Sequence, residues 1–224
     1  MIVAPDTGLL LAVGYGEDID PKAPAAISAL HDVENRKVPI LMLESVRKEL
    51  DSKLSEISEV IPALQAAFAT LPPDEPVGDL SLIESLMVRA KAASPPRVSR
   101  YLDAIEGQVV EICRANPHVQ GSFILSSVLG AAVTLLEVVR ARIEGLRLEV
   151  YNPTGRAAGT SVSVPGITGN DLTHIRGCEQ LAIERNVRVV FLVFESSLHA
   201  HQHAIASAYP HVVVTVPHYL SSYL

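Results

Sequence analysis

Tryptophan is absent from this 224-residue chain, and all aromatics together make up 4% of it. A core of aromatic plates is therefore excluded, and leucine, isoleucine, valine and alanine must fill the interior. Only two cysteines occur, Cys113 and Cys178, which excludes a disulfide framework and leaves too few thiolates for a cysteine-based zinc site. Long polar tracts are missing while 48% of residues are hydrophobic, so the chain is expected to fold rather than remain disordered. The N-terminus has neither a basic leader nor a signal-like cleavage pattern, and the expected location is the cytoplasm. Net positive charge is lacking too: the formal charge is −7. Any nucleic-acid reading must then rest on local basic clusters, since broad binders carry a basic surface.

Two stretches contain no Asp, Glu, Lys or Arg: Ala115–Leu136 and Ser196–Leu224. The apolar part of the first is short for a bilayer span and is expected to be a buried helix. The second is interrupted by histidines, Pro210 and Pro217. No membrane association is expected.

The length suits one large domain. Apolar runs of strand length occur at Ile2–Ala4, Val38–Leu43, Leu146–Tyr151, Val187–Phe194 and His211–Val216. Ser161–Val164 alternates weakly, as an edge strand does. Helical periodicity covers Pro21–Asn35, a stretch from an expected N-cap at Ser45 through Leu54 or beyond, Leu80–Ala93, Val98–Arg114, Ser122–Ile143, a helix from Gly169, and Ser197–Ala208. The ends alternate strand and helix around a helical block. That pattern predicts an α/β fold: a parallel β-sheet flanked by helices, one domain over 1–224 with an enlarged helical insertion at about 52–144.

Open α/β sheets bind ligands beyond the carboxyl ends of their strands. Asp6 follows the first strand and Glu195 follows Val187–Phe194. Glu49 and Asp171 lie in the first turns of helices. In a parallel sheet all four stand near one rim. Crowded carboxylates repel unless a cation discharges them, and an all-oxygen set suits Mg²⁺ or Mn²⁺. Taken singly, Glu49 and Asp171 also serve as helix-dipole partners, Asp6 as a helix cap and Glu195 as an ordinary loop acid. Glu44 competes with Glu49, because it follows its strand immediately; Asp51 is a weaker candidate. Asp18 and Asp20 are expected to be solvated. His199 and His203 would share a helical face at the i, i+4 spacing of zinc ligands, and either His199 or His174 would stand near a phosphate. Arg156, in the loop 152–160, can contact a phosphate backbone.

Three stretches resemble the PIN-domain family of metal-dependent nucleases. "VAPDTGLLL" is similar to the family's first strand and its Asp-Thr-x-x-Leu-Leu. "VPILMLESVRKELDSKL" resembles its second strand and the Val-x-x-Glu-Leu helix, here Val46 and Glu49. "ITGNDLTHIRGCEQLAIERNVRVVFLVFESSL" resembles the helix of the third acid and the strand leading to the fourth. The resemblance implies that Asp6, Glu49, Asp171 and Glu195 bind Mg²⁺ or Mn²⁺ and that the substrate is RNA, and Thr7, beside the first acid, is a candidate substrate-binding residue. It further implies a protein partner such as an antitoxin, as in the toxin–antitoxin members; the exposed face of the helical block separately suggests self-association. Gly8 and Val193 stand where the family often carries Asn and Thr. A fold that keeps the architecture but serves as a binding or regulatory module is the alternative.

Overall fold

The computed structural model describes residues 1–77, 79–116, 118–153, 162–194 and 196–224. The chain divides into two compact units, residues 1–51 with 141–224, and residues 52–140.

The first unit opens with strand β1 (Ile2–Pro5), helix α1 (Thr7–Tyr15), helix α2 (Ala23–Asn35) and strand β2 (Leu41–Leu43). Helix α3 (Glu44–Ser58) leaves β2 without a linker. In the second unit follow α4 (Val60–Phe68), α5 (Leu80–Ala92), a 3₁₀ turn at Pro96–Val98 and α6 (Ser99–Ala115). Helix α7 (Gly121–Gly145) leads to β3 (Glu149–Tyr151) and α8 (Gly169–Arg185). The chain closes with β4 (Val189–Leu192), α9 (Ser196–Ala200), α10 (Gln202–Ala208), β5 (Val212–Thr215) and a 3₁₀ turn at Pro217–Ser222.

All strand pairs are parallel, and helices flank them, as the alternating pattern predicts. The expected single sheet is nevertheless two hydrogen-bonded pieces, β1-β4-β5 and β2-β3. One bridge, Val3 to Ile40, joins them, with Val3 N–H donating to Pro39 O at 2.9 Å. Pro39 has no N–H to bring to that edge, so the ladder there is short. Across the bridge the strands run β3, β2, β1, β4, β5. The chain winds outward on one side of β1 and returns on the other through β4. That reversal is a topological switch point, and the crevice beyond the carboxyl ends of β1 and β4 is where open sheets hold ligands.

β1 and β4 are buried throughout, which explains their unbroken apolar sequences. Side chains alternate across a strand. Val190 and Leu192 join Val3, Leu9, Val13 and Leu30 in a core cluster that includes α1 and α2. Phe191, between them, turns to the other face, where the His174 ring of α8 stands 6.2 Å away. Each fully buried Val, Leu or Phe contributes about 1.5–3 kcal/mol.

Helix α1 ends at Gly16, whose φ of 73° favours glycine. Arg142 occupies the space a β-carbon would need and donates to Tyr15 O at 2.7 Å, binding the helix's last carbonyls. Asp20 is buried rather than solvated, and its Oδ1 accepts from Lys22 N–H at 2.9 Å at the entry to α2.

In the second unit, buried Tyr101 of α6 donates its hydroxyl proton to the Ala132 carbonyl of α7. Lys91 of α5 reaches Asp103 at 2.6 Å and Glu106 at 2.5 Å on α6. Helix α7 is longer than its expected apolar part. By length and composition it is apolar enough to cross a membrane, yet only a third of its most apolar window is buried. Ile124, Val128, Ala132, Leu136, Val139 and Ile143 form the buried line, while Phe123 is 54% and Val133 42% exposed. It is therefore buried on one face, not all round.

At the start of α7, Gly121 admits the backbone of the preceding segment: an added β-carbon would lie 2.2 Å from Pro72 O. Ser122 N–H donates to Pro73 O at 3.1 Å, so that segment is strapped in place. Gly121→Ala is expected to destabilise by about 1–3 kcal/mol through overpacking. A fall in the thermal midpoint of several degrees checks it; an unchanged midpoint would show the strap yields freely.

Candidate functional site at the switch point

Asp6 directly follows β1 and caps α1: its backbone is extended and its Oδ2 accepts from Gly8 N–H at 3.1 Å. The capping role considered for Asp6 alone is thus real. It does not account for the burial, since a capping acid has no need to leave water and Asp6 is only 9% exposed. Burial, the largest cause, pushes its carboxyl up to about 6. The Gly8 N–H, His174 and the Thr7 N–H oppose this, and the Glu49 charge adds to it.

Those influences locate the neighbours. Glu49 of α3 and His174 of α8 both lie close enough to act on the Asp6 carboxylate. Cys178, one turn beyond His174, is fully buried, and its thiol is pushed far up by burial and then by Asp6. Residues three and four apart share a helical face, so Asp171, His174 and Cys178 form one line along α8. His174 and Cys178 on that line are near Asp6, and Asp171 stands one turn before them, partly exposed. The Thr7 hydroxyl is buried beside Asp6 and has no hydrogen-bond partner among the described residues.

Between the two acids that competed for the second position, the geometry separates clearly. Glu44 is taken by its own helix, with Arg47 at 2.8 and 2.9 Å and Lys48 at 3.7 Å. The Arg47 hydrogen bonds hold its carboxyl below the usual range. Asp51 faces Arg47 at 3.8 Å and is largely exposed. Glu49 turns inward instead. Its Oε2 lies 2.7 Å from His174 Nε2, and Ser45 Oγ lies 2.9 Å from His174 Nδ1. Ser45 was expected to cap α3, but the helix begins one residue earlier, at Glu44. Ser45 is inside the first turn and its hydroxyl goes to the imidazole.

The remaining expected residues fall elsewhere. His174 is 1% exposed and turned entirely to protein partners, so it meets no substrate directly. His199 stacks on Tyr219, ring centroids 5.5 Å apart. His199 and His203 do not share a continuous helix. The chain turns at His201, whose Nδ1 pairs with Ser197 O at 2.7 Å, and this separates α9 from α10. Glu195 and Arg156 lie outside the described residues.

Beyond the carboxyl ends of β2 and β3 lies a cavity of about 450 Å³. Leu43, Ser45, Lys48, Tyr151 and Arg176 are among its walls. Lys48 and Arg176 bring positive charge to it, offset at Lys48 by Glu44, which also lines the cavity 3.7 Å away. Signals for the cavity were absent from the sequence, because its walls come from three separated segments.

The donor chemistry allows a test of fit for a hard divalent ion. Two mutually repelling carboxylates, one of them buried, are the ligands that such an ion discharges. Among the described residues no group of three or more His, Cys, Asp or Glu is arranged to hold a metal. Mg²⁺ commonly takes one or two carboxylates and completes its shell with water and substrate phosphate, so the donor chemistry of Asp6 and Glu49 suits such an ion. No protein-family model, curated protein or solved structure matches the chain significantly.

Proposed function

We propose that this chain is a metal-dependent endoribonuclease of PIN type, with Asp6, Glu49, Asp171 and Glu195 as its acidic residues. The observation that carries the reading is buried Asp6 at the switch point of the sheet, with Glu49, held by His174, near enough for its charge to act on it. Asp6 and Glu49 would hold Mg²⁺ or Mn²⁺, and Asp171 stands on the α8 face that borders them. The bound ion supplies a water of lowered pKa and neutralises charge at the scissile phosphate. Asp6 contributes a carboxylate fixed by the α1 cap. Arg176, in the cavity next to Ser45, would meet the phosphate backbone at the rim, with Lys48 balanced by Glu44 beside it. RNA is the proposed substrate on the strength of the three motif resemblances.

Purified protein is expected to cut single-stranded RNA in Mn²⁺ or Mg²⁺, to stop in EDTA, and to lose cleavage in Asp171→Asn with the fold unchanged by circular dichroism. Cleavage that persists in EDTA overturns the reading. A second reading, a module that keeps the fold without the chemistry, draws on the absence of an assembled three-donor cluster among the described residues. Mn²⁺ binding, or its loss, without any cleavage would favour it.

A further inference from the structure

We infer that His174 is the positioning residue of the acidic site: with Ser45 behind it, its imidazole holds the Glu49 carboxylate in place near Asp6. The inference rests on the metal-dependent reading above and names how one of its ligands is kept in place.

The geometry is specific. Both ring nitrogens are engaged, Nε2 with Glu49 Oε2 at 2.7 Å and Nδ1 with Ser45 Oγ at 2.9 Å. An ionised carboxylate only accepts, so Nε2 carries the proton it donates. Nδ1 pairs with the Ser45 hydroxyl at the other end of the ring. The two partners thus fix one ring orientation. Ser45 and Glu49 are four residues apart on α3 and present the same face, so a single ring from α8 spans one turn of α3. Phe191 of β4 backs the ring at 6.2 Å, and His174 is shielded from solvent, which removes it from direct contact with substrate.

A glutamate has three rotatable side-chain bonds, and one that must share an ion with a neighbouring acid gains from being held before the ion arrives. Groups that hydrogen-bond a metal ligand from behind are typically worth about 10–100-fold in metal affinity. Their removal leaves the ligand present but free to turn away.

Mn²⁺ affinity, measured by isothermal titration on the full chain, tests this. His174→Phe keeps a ring against Phe191 and removes both hydrogen bonds; it is expected to weaken Mn²⁺ by about 10–100-fold. His174→Gln retains a side-chain N–H donor toward Glu49 and is expected to recover most of that loss, which a merely space-filling role would not produce. Ser45→Ala, the milder change, is expected to weaken binding by a smaller factor and remains informative if His174→Phe does not fold. His174→Phe is expected to add little to the loss in Glu49→Gln, since it acts through that carboxylate. A folded His174→Phe that binds Mn²⁺ as tightly as the unaltered protein overturns the inference while leaving the metal-dependent reading intact. An unaltered protein that binds no Mn²⁺ overturns that reading, and the inference with it.

Discussion

Asp6→Asn is expected to yield a protein that is inert toward RNA and more stable at neutral pH. The two effects share one cause. The Asp6 carboxyl is raised from an ordinary value of 3.8 to about 6, chiefly by burial, with Glu49 adding to the shift against the opposing Gly8 and Thr7 N–H groups and His174. An acid whose folded pKa exceeds its unfolded one binds its proton more tightly in the folded state. Its contribution to stability is then full below about 3.8 and falls as pH rises toward about 6. Above that the folded state carries the whole burden of a buried ionised carboxylate. The gap between the two values corresponds to roughly 3 kcal/mol, to order of magnitude. Asparagine carries no charge, and its side-chain oxygen can still accept the Gly8 N–H, so the cap on α1 survives. Urea unfolding without metal should show Asp6→Asn more stable than the unaltered protein at pH 7.5, by about 1–3 kcal/mol. The difference should shrink as pH falls from 6 to 4. Added Mn²⁺ should raise the melting temperature of the unaltered chain and not that of the variant, since only a folded state that binds the ion gains from it. Equal stability at both pH values would mean that the carboxylate is solvated and the site misread. A stabilising change that removes activity is characteristic of residues kept for chemistry at the expense of folding.

The parts of this site visible in the sequence are those set by neighbours along the chain. Asp6 after β1, the parallel pairing and the start of α8 at Gly169 all follow from short apolar runs and their boundaries. Four of the five expected strands run one to three residues past the observed ends, because an apolar run continues past the last ladder hydrogen bond: Val187–Phe194 contains the four-residue β4, whereas Ile2–Ala4 stops one residue short of β1. The expected edge strand at Ser161–Val164 illustrates the limit. Residues 162–164 form no strand, and Val164 is buried for another reason. Their alternation reflects packing without a ladder, with the Val162 carbonyl taken by the Tyr209 hydroxyl at 2.7 Å. The His174–Glu49 contact had no local signal. It joins residues 125 apart in the chain, and nothing around a histidine on a helix reveals which distant acid it will meet. The misplaced N-cap has the same origin. Ser45 has the chemistry of a cap, but a partner 129 residues away takes its hydroxyl. The choice between Glu44 and Glu49 was open for want of that information, and the two arginine hydrogen bonds to Glu44 separate them.

Phe191→Ala carries the largest expected cost to folding. Phe191 has no exposed surface, lies in the central strand of β1-β4-β5, and pairs in register with Ala4 and Val214. Truncation leaves a cavity beneath α8 that the surrounding strands can close only partly, at about 3–5 kcal/mol. The same cavity removes the backing of the His174 ring, so Mn²⁺ affinity should fall together with stability. Leu30→Ala provides the contrast. Leu30 belongs to the cluster of α1 and α2 on the opposite face of the sheet, and its truncation should cost about 2–5 kcal/mol. Under conditions where both variants remain folded, Leu30→Ala should bind Mn²⁺ as the unaltered protein does. Urea midpoints paired with titration calorimetry separate the two. Equal Mn²⁺ affinities in the two variants would show that the α8 face transmits nothing to Glu49, and that His174 is held by α3 alone.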